Sequence, residues 1–512
     1  MATATVGRVS RHRLLSTIEI CTPVLIVCAF TWRIFGGTAP IVRFSDDFFY
    51  YVLPAQNWVG GAGSTFFPGE PTNGYHPLWF LWISFLTLVG GHGAPFFALV
   101  DLSIMLLVIG FFVLFAKFLS KVTSNRLAGA VGASVATIPL AVISMAGVET
   151  ALAAFAAALL LNHLTGQPLS GRTARDAALV GLMCALLVLA RLDASLLVLG
   201  LAVAVLPTWG WRRVVAAVAG GTPLYGYLAF NIVAFGHLAT TSMAAKSPGL
   251  YWPPNGWFVF HPSPVAGVVV IGAVVATSAA IVAMLRNALD DGRRLVLAIA
   301  AAPLLQLAMQ AALSGWSLFP WYFYLFFMAL GVAAALLTAQ LTHWSPRRWV
   351  AIAVGAVVSV GMVRVLIGGL TPDPWQVEIA AVAERLQVFS LDHPGVYAMG
   401  DAAGTPTWLT RTPVVQLEGL MMSHAFLDRI RQRQPLRQVF EDYGVNYYVS
   451  VRDEGSDAGG CLRFSEPNSE QASPRAPAMS ATICGAPVEA FQVGPHYHVR
   501  IYQIDPTTGR PS

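Results

Sequence analysis

Residues 44–79, FSDDFFYYVLPAQNWVGGAGSTFFPGEPTNGYHPLW, place two adjacent carboxylates, Asp46 and Asp47, ahead of a Gly-rich segment. Asn73, Tyr75, His76 and Pro77 follow. The stretch lies between long apolar runs, so a polar, aromatic loop at this point calls for a reason beyond reversing the chain. Ionisable residues close to a bilayer are costly and mark functional sites.

Composition says what surrounds that stretch. The chain has 512 residues, 56% of them hydrophobic and 11% charged, with a mean hydropathy of +0.62. Soluble domains carry about 25% charged residues. A soluble reading is excluded, and a polytopic α-helical membrane protein is predicted. The net charge of +5 comes from dispersed Lys and Arg. Such dispersion fits basic cytoplasmic loops and not nucleic-acid binding.

Arg8, Arg11 and Arg13 precede the first apolar run, 14–35. The positive-inside rule then puts the N-terminus in the cytoplasm and the loop 36–94 outside. The short run 76–89 carries Trp79 and Trp82 and is expected to lie flat in the interface. Further runs at 95–118, 127–145, 150–164, 177–190, 194–207, 214–235, 264–285, 295–313, 321–341 and 349–370 complete about eleven transmembrane helices. The membrane domain is thus 1–370, with its catalytic loop at 36–94.

Residues 371–512 are expected to form an extracytoplasmic α/β domain. Helical periodicity marks 376–389 and 425–443, and short apolar runs at 396–400, 414–419, 446–451 and 498–504 read as strands. The polar insert 456–477 is expected to be mobile. Cys21, Cys28 and Cys184 lie in apolar helices and read as inert core residues. Cys461 and Cys484 could pair as a disulfide if this domain lies outside the cytoplasm.

On this topology, further polar residues fall on the same side as the acidic pair. Glu149 opens a helix, Arg191 and Asp193 interrupt an apolar stretch, Lys246 sits in a polar loop, and Trp321 and Tyr322 lie where a helix re-enters. Each has a plainer reading: solvated loop carboxylates, a helix N-terminal charge, a structural ion pair, an interfacial aromatic belt. Taken together, Asp46, Asp47, Asn73, Tyr75, His76, Glu149, Arg191, Asp193, Lys246, Trp321 and Tyr322 are the candidate site. Glycosyl transfer suits them. A carboxylate takes the proton of an acceptor hydroxyl, and Lys246 or Arg191 stabilises a leaving lipid phosphate. Asp46 and Asp47 could instead share a divalent cation such as Mg, Mn or Ca. A site outside the cytoplasm has no access to nucleotide sugars, so the expected donor is a polyprenyl-phosphate sugar.

The pattern resembles the GT-C superfamily of polytopic glycosyltransferases, which includes protein mannosyltransferases and mycobacterial arabinofuranosyltransferases. SDDFFYY looks like the acidic motif of its first outer loop, and TNGYHPLW like the start of its interfacial helix. That resemblance implies Asp46 as catalytic base, with Asp47 assisting. It also implies an acceptor that is an envelope glycan, lipid or protein. The Ala, Gly and Val-rich spans look actinobacterial, which implies decaprenyl phosphate as carrier and the bacterial inner membrane as location. NGYHPLW departs from the arabinofuranosyltransferase pattern, so no sugar is named. Two rival readings remain: a transporter or lipid flippase, and a non-catalytic membrane protein binding cell-wall glycan.

Overall fold

The computed structural model describes residues 2–259, 290–343, 368–452 and 461–511, with a few isolated positions between them. The helical part opens with α1 (Ala2–Phe35) and the short α2 (Pro40–Arg43). Then come α3 (Asp46–Val59), α4 (Pro77–Gly90), α5 (Ala94–Thr123), α6 (Arg126–Ser144) and α7 (Thr150–Leu164). They are followed by α8 (Ala174–Ala190), α9 (Ser195–Val205), α10 (Trp211–Gly220), α11 (Thr222–Phe235), α12 (Thr241–Lys246) and α13 (Gly256–Val259). Two long helices, α14 (Asp291–Leu313) and α15 (Tyr324–His343), close the part.

Among the described residues, five helices are long and apolar enough to cross a bilayer, or six if α10 and α11 form one span. Of the eleven expected spans, those at 14–35, 95–118, 127–145, 295–313 and 321–341 coincide with these five helices. The runs 264–285 and 349–370 lie outside the described residues, apart from a few positions. The expected single span 214–235 is a bent pair: α10 and α11 meet at 51° around Gly221, where Thr222 and Pro223 follow and break the ladder. At 14 residues α4 is about 21 Å long, too short for a core of about 30 Å.

Helices α5, α6 and α15 pack through small residues. A Cβ on Gly132 of α6 would stand 2.4 Å from the carbonyl oxygen of Gly331 in α15. The two backbones touch there, as small residues permit in helix packing without a hydrophobic drive. Cys21 and Cys28 are exposed on α1 and do not belong to the core. Asp101 of α5 is fully buried and holds Arg33 at 2.7 Å and Arg43 at 3.2 Å, fastening α1 and α2 to α5.

The quoted stretch is not all loop. Ser45 sits in an extended conformation, and the chain turns helical at Asp46. The two carboxylates occupy the first turn, where the helix dipole favours them. The aromatics behind them, Phe48, Phe49, Tyr50 and Tyr51, are buried against Trp79, Phe96 and Phe97.

The C-terminal part contains α16 (Pro374–Asp392), α17 (Gly404–Thr410), α18 (His424–Arg431) and α19 (Leu436–Asp442). Its strands are β1 (Tyr397–Met399), β2 (Val414–Gln416), β3 (Tyr447–Ser450), β4 (Cys461–Glu466), β5 (Met479–Cys484), β6 (Glu489–Val493), β7 (Tyr497–Asp505) and β8 (Arg510–Pro511). The main sheet runs β2-β1-β3-β7-β6, parallel through β3 and antiparallel beyond. Strands β1, β2 and β3 are buried throughout, which is why they read as short, mostly apolar runs. The expected helix 425–443 is two helices, because Pro435 restarts the chain at the second.

Part of the insert expected to be mobile is ordered. Strand β4 pairs with β5, and Cys461 and Cys484, directly opposed, form a disulfide. Between them, residues 467–477 lie as a strap on the helical part: Ser473 donates to Gly315 O at 2.7 Å, and Ser317 donates to Gln471 O at 2.8 Å. Residues 456–460 of that insert lie outside the described residues.

Candidate active site

The two aspartates open one helix but face different ways, since successive helical side chains diverge by about 100°. Asp46 points to the C-terminal domain. Its Oδ2 accepts from Gly404 N at 3.1 Å and its Oδ1 from Thr405 N at 2.6 Å. Burial pushes its carboxyl up to about 6, against the pull of those two amides. Asp47, among the described residues, makes no hydrogen bond and no ion pair. Burial raises its pKa, the Lys246 ammonium opposes the rise, and Glu149 and Asp401 reinforce it.

Glu149 is the hub of the buried polar group. It sits at the N-terminal boundary of α7 without a side-chain capping bond and is 2% exposed. Tyr51 donates to its Oε2 at 2.6 Å, and Arg191 Nη1 donates to its Oε1. His76 Nε2 stands 3.5 Å from the same Oε1. Leu192 N donates to His76 Nδ1 at 3.2 Å. A neutral imidazole with Nδ1 as acceptor carries its proton on Nε2, facing Glu149.

Arg191 is 1% exposed and also holds Asp193 Oδ1 at 2.8 Å. Its guanidinium stacks 4.6 Å from the Tyr322 ring centroid. Asp193 accepts in turn from Gln306 at 3.0 Å. So Arg191 is neutralised twice. Lys246 is not: among the described residues its Nζ makes no ion pair and lies over the rings of Phe319 at 4.8 Å and Trp316 at 5.9 Å. Trp321 stacks on Phe319 at 4.8 Å and so backs the lysine from one ring away.

The remaining candidates sit apart from this chemistry. Asn73 accepts from Thr241 N at 3.0 Å and donates to Asn231 at 3.3 Å, tying the first loop to α11 and α12. Tyr75 bonds Ser64 at 2.5 Å and stacks on Phe80 at 3.9 Å. Both hold the loop in shape.

The expectation that Asp46 and Asp47 share a cation does not fit this arrangement. Their side chains diverge, and each oxygen of Asp46 already receives an amide. Among the described residues no group of three or more His, Cys, Asp or Glu side chains is arranged to hold a metal ion.

Sequence reasoning missed the C-terminal domain's share. Asp401 follows β1 and Glu418 follows β2, at the carboxyl ends of parallel strands, where α/β sheets place ligands. Arg452 holds Asp401 at 2.7 Å. Glu418 is 4% exposed, and Gln416 donates to its Oε2 at 2.8 Å. Burial, then the neighbouring Asp401, Glu466 and Asp47, raise the Glu418 pKa well above the usual carboxylate range. The available signal was a lone acid just past an apolar strand, in YAMGD and VVQLEG.

No protein-family model and no curated protein matches this chain. Solved structures do. The oligosaccharyltransferase of Archaeoglobus fulgidus in its apo form superimposes with a TM-score of 0.55, at 13% identity, over 85% of this chain and 69% of that one. The same enzyme tethered to an acceptor peptide containing the NVT sequon gives 0.54, at 13% identity and the same coverage. ArnT from Cupriavidus metallidurans, bound to undecaprenyl phosphate, gives 0.53 at 12% identity, over 93% of this chain and 97% of that one. The chain has the GT-C fold that these glycosyltransferases share.

Proposed function

We propose that this protein is a membrane glycosyltransferase that moves a sugar from a polyprenyl-phosphate donor to an envelope glycan, lipid or protein. One observation carries the reading: within a GT-C fold, Asp47, which makes no hydrogen bond among the described residues, acts electrostatically on the buried ammonium of Lys246, which makes no ion pair among them. ArnT, of the same fold, binds undecaprenyl phosphate, which supports a lipid phosphate as donor here.

In this reading Asp47, and not Asp46, is the general base. Asp46 has both oxygens engaged and acts as a positioning group. The acceptor oxygen attacks the anomeric carbon while its proton passes to Asp47. The bond from that carbon to the phosphate oxygen breaks, and the charge left on the lipid phosphate is stabilised by Lys246. Arg191, already paired with Glu149 and Asp193, holds the site's shape and orients Tyr322. His76 Nε2–H faces Glu149 and stands ready to bind a sugar hydroxyl. The chemistry faces the non-cytoplasmic side in this reading, where nucleotide sugars are absent and lipid-linked ones are delivered within the bilayer.

The test is Asp47→Asn, purified intact and assayed with polyprenyl-phosphate sugars. A general base contributes about 10²–10⁴-fold, so transfer should fall by that order with folding retained. Unchanged transfer would reject the role. The transporter reading gains the bend at Gly221, yet residues 214–224 around it carry no ionisable side chain. Substrate flux across vesicles without any transfer product would favour that reading.

A further inference from the structure

Lys246 owes its place to a segment far along the chain. It ends α12, a helix of six residues, and its ammonium rides on a flexible four-carbon stem. The segment 314–319, between α14 and α15, is neither helix nor named strand, yet it holds the lysine at both ends. Gly315 N donates to Lys246 O at 2.8 Å. The Phe319 and Trp316 rings lie under the ammonium. Ring faces attract a cation at a defined place only while the rings themselves are fixed.

The strap fixes them. Ala472 bridges Trp316 in antiparallel register. Ser473 N donates to Gly315 O at 2.7 Å, and Ser317 N donates to Gln471 O at 2.8 Å. The Ser317 hydroxyl also donates to Gln471 Oε1. Trp316, 3% exposed, is thus clamped through both neighbouring residues. Arg475 grips the chain that follows Lys246. Its Nη1 donates to Pro253 O at 3.0 Å and its Nη2 to Trp252 O at 3.4 Å, while the guanidinium lies 4.9 Å from the Tyr251 ring centroid. Gly315 is closed in between: a Cβ there would stand 2.6 Å from Tyr251 Oη.

The strap is itself held. The Cys461–Cys484 disulfide closes the hairpin that carries it. Phe464, Met479 and Ile483 of that hairpin are buried in the C-terminal domain. Glu470 pairs with Arg452 at 2.7 Å, and Arg452 holds Asp401. One short segment therefore ties the surroundings of Lys246 to an acid that acts on Asp47.

We propose that Gln471, Ser473 and Arg475 are positioning residues for the Lys246 ammonium. The use of that ammonium, to meet a lipid phosphate, rests on the transferase reading above. A charge stabiliser works because it is in place before the reaction begins, and a misplacement of about 1 Å can cost on the order of 10²-fold in rate. A plain docking contact would join the two parts of the chain without fixing the ammonium.

Lys117, Lys121 and Lys246 are the chain's only lysines. The first two are exposed and Lys246 is partly buried, so amine acylation read by peptide mass spectrometry reports Lys246 against two internal references. The test uses the full chain in lipid nanodiscs. Gln471→Ala combined with Arg475→Met is one strap variant. Ser473→Pro, which removes the N–H that Gly315 accepts, is the other. Each should raise Lys246 labelling by about fivefold, the worth of one lost hydrogen bond. Either carries the test if the other does not fold. Tyr443→Phe removes a bond from the same domain to Glu70 and should leave Lys246 labelling at the wild-type rate. The strap variants should also weaken decaprenyl phosphate binding by about tenfold, and should add nothing when Lys246→Met is already in place. Unchanged labelling in the strap variants, an equal rise in Tyr443→Phe, or an undiminished further loss on top of Lys246→Met overturns the assignment. If the labelling pattern holds and the wild type does not bind decaprenyl phosphate, the positioning stands and the donor assignment falls.

Discussion

Gly404 donates its amide to Asp46 Oδ2 across 3.1 Å, joining residues 358 positions apart. With the parallel bond from Thr405, it fixes the C-terminal domain to the first turn of the helix that carries Asp47. Domain docking and the placing of the proposed base are therefore one structural event.

That junction has no spare room. A Cβ on Gly404 would lie 2.5 Å from the Asp46 carbonyl oxygen and 3.0 Å from its Oδ2. Gly404→Ala should therefore push the domain off α3 and destabilise by about 1–3 kcal/mol. A thermal melt of the purified protein checks it, and an unchanged midpoint would contradict the close approach.

Asp46→Ala leaves two buried amides without an acceptor and should lower stability by about 1–3 kcal/mol. Its effect on transfer should be smaller than that of Asp47→Asn at equal protein integrity. If Asp46→Asn proves the more severe loss of turnover while Asp47→Asn transfers normally, the proposed roles are reversed.

The Asp46 carboxyl titrates at about 6 in the folded chain, raised by burial, against an ordinary value of 3.8. The folded state then binds more protons between about pH 4 and 6, and stability falls as pH rises through that window. The contribution is fully present below the lower value and gone above the upper one. The difference in melting temperature between wild type and Asp46→Asn should therefore shrink as pH rises from 4 to 6 and level off above. A difference that grows over that range would contradict the raised value.

Glu149→Ala leaves the Arg191 guanidinium buried with only Asp193 to balance it. Removing one partner of a buried pair costs about 3–5 kcal/mol. The expected result is a large drop in melting temperature or failure to fold. Glu149→Leu combined with Arg191→Met should recover stability but not transfer. Melts and transfer assays on the two variants check this.

What could be read along the chain was whatever depends on near neighbours. Long apolar runs specify a membrane protein because transfer out of water is a property of each side chain and sums locally. Buried strands β1, β2 and β3 and the long helix α16 were legible because their periodicity is local too. The bend at Gly221 and the break at Pro435 were visible as residues but needed three dimensions to become corners. The tertiary structure alone separates the surroundings of the two aspartates. Asp46 and Asp47 are chemically alike and adjacent, and only the 100° turn of α3, set against Gly404 on one side and Lys246 on the other, tells them apart. It also decided that Asp401 and Glu418 belong to the site at all. Asp47, which both acids influence, and Lys246, which acts on Glu418, lie far off in sequence, and electrostatics depends on distance through space, which no local pattern encodes.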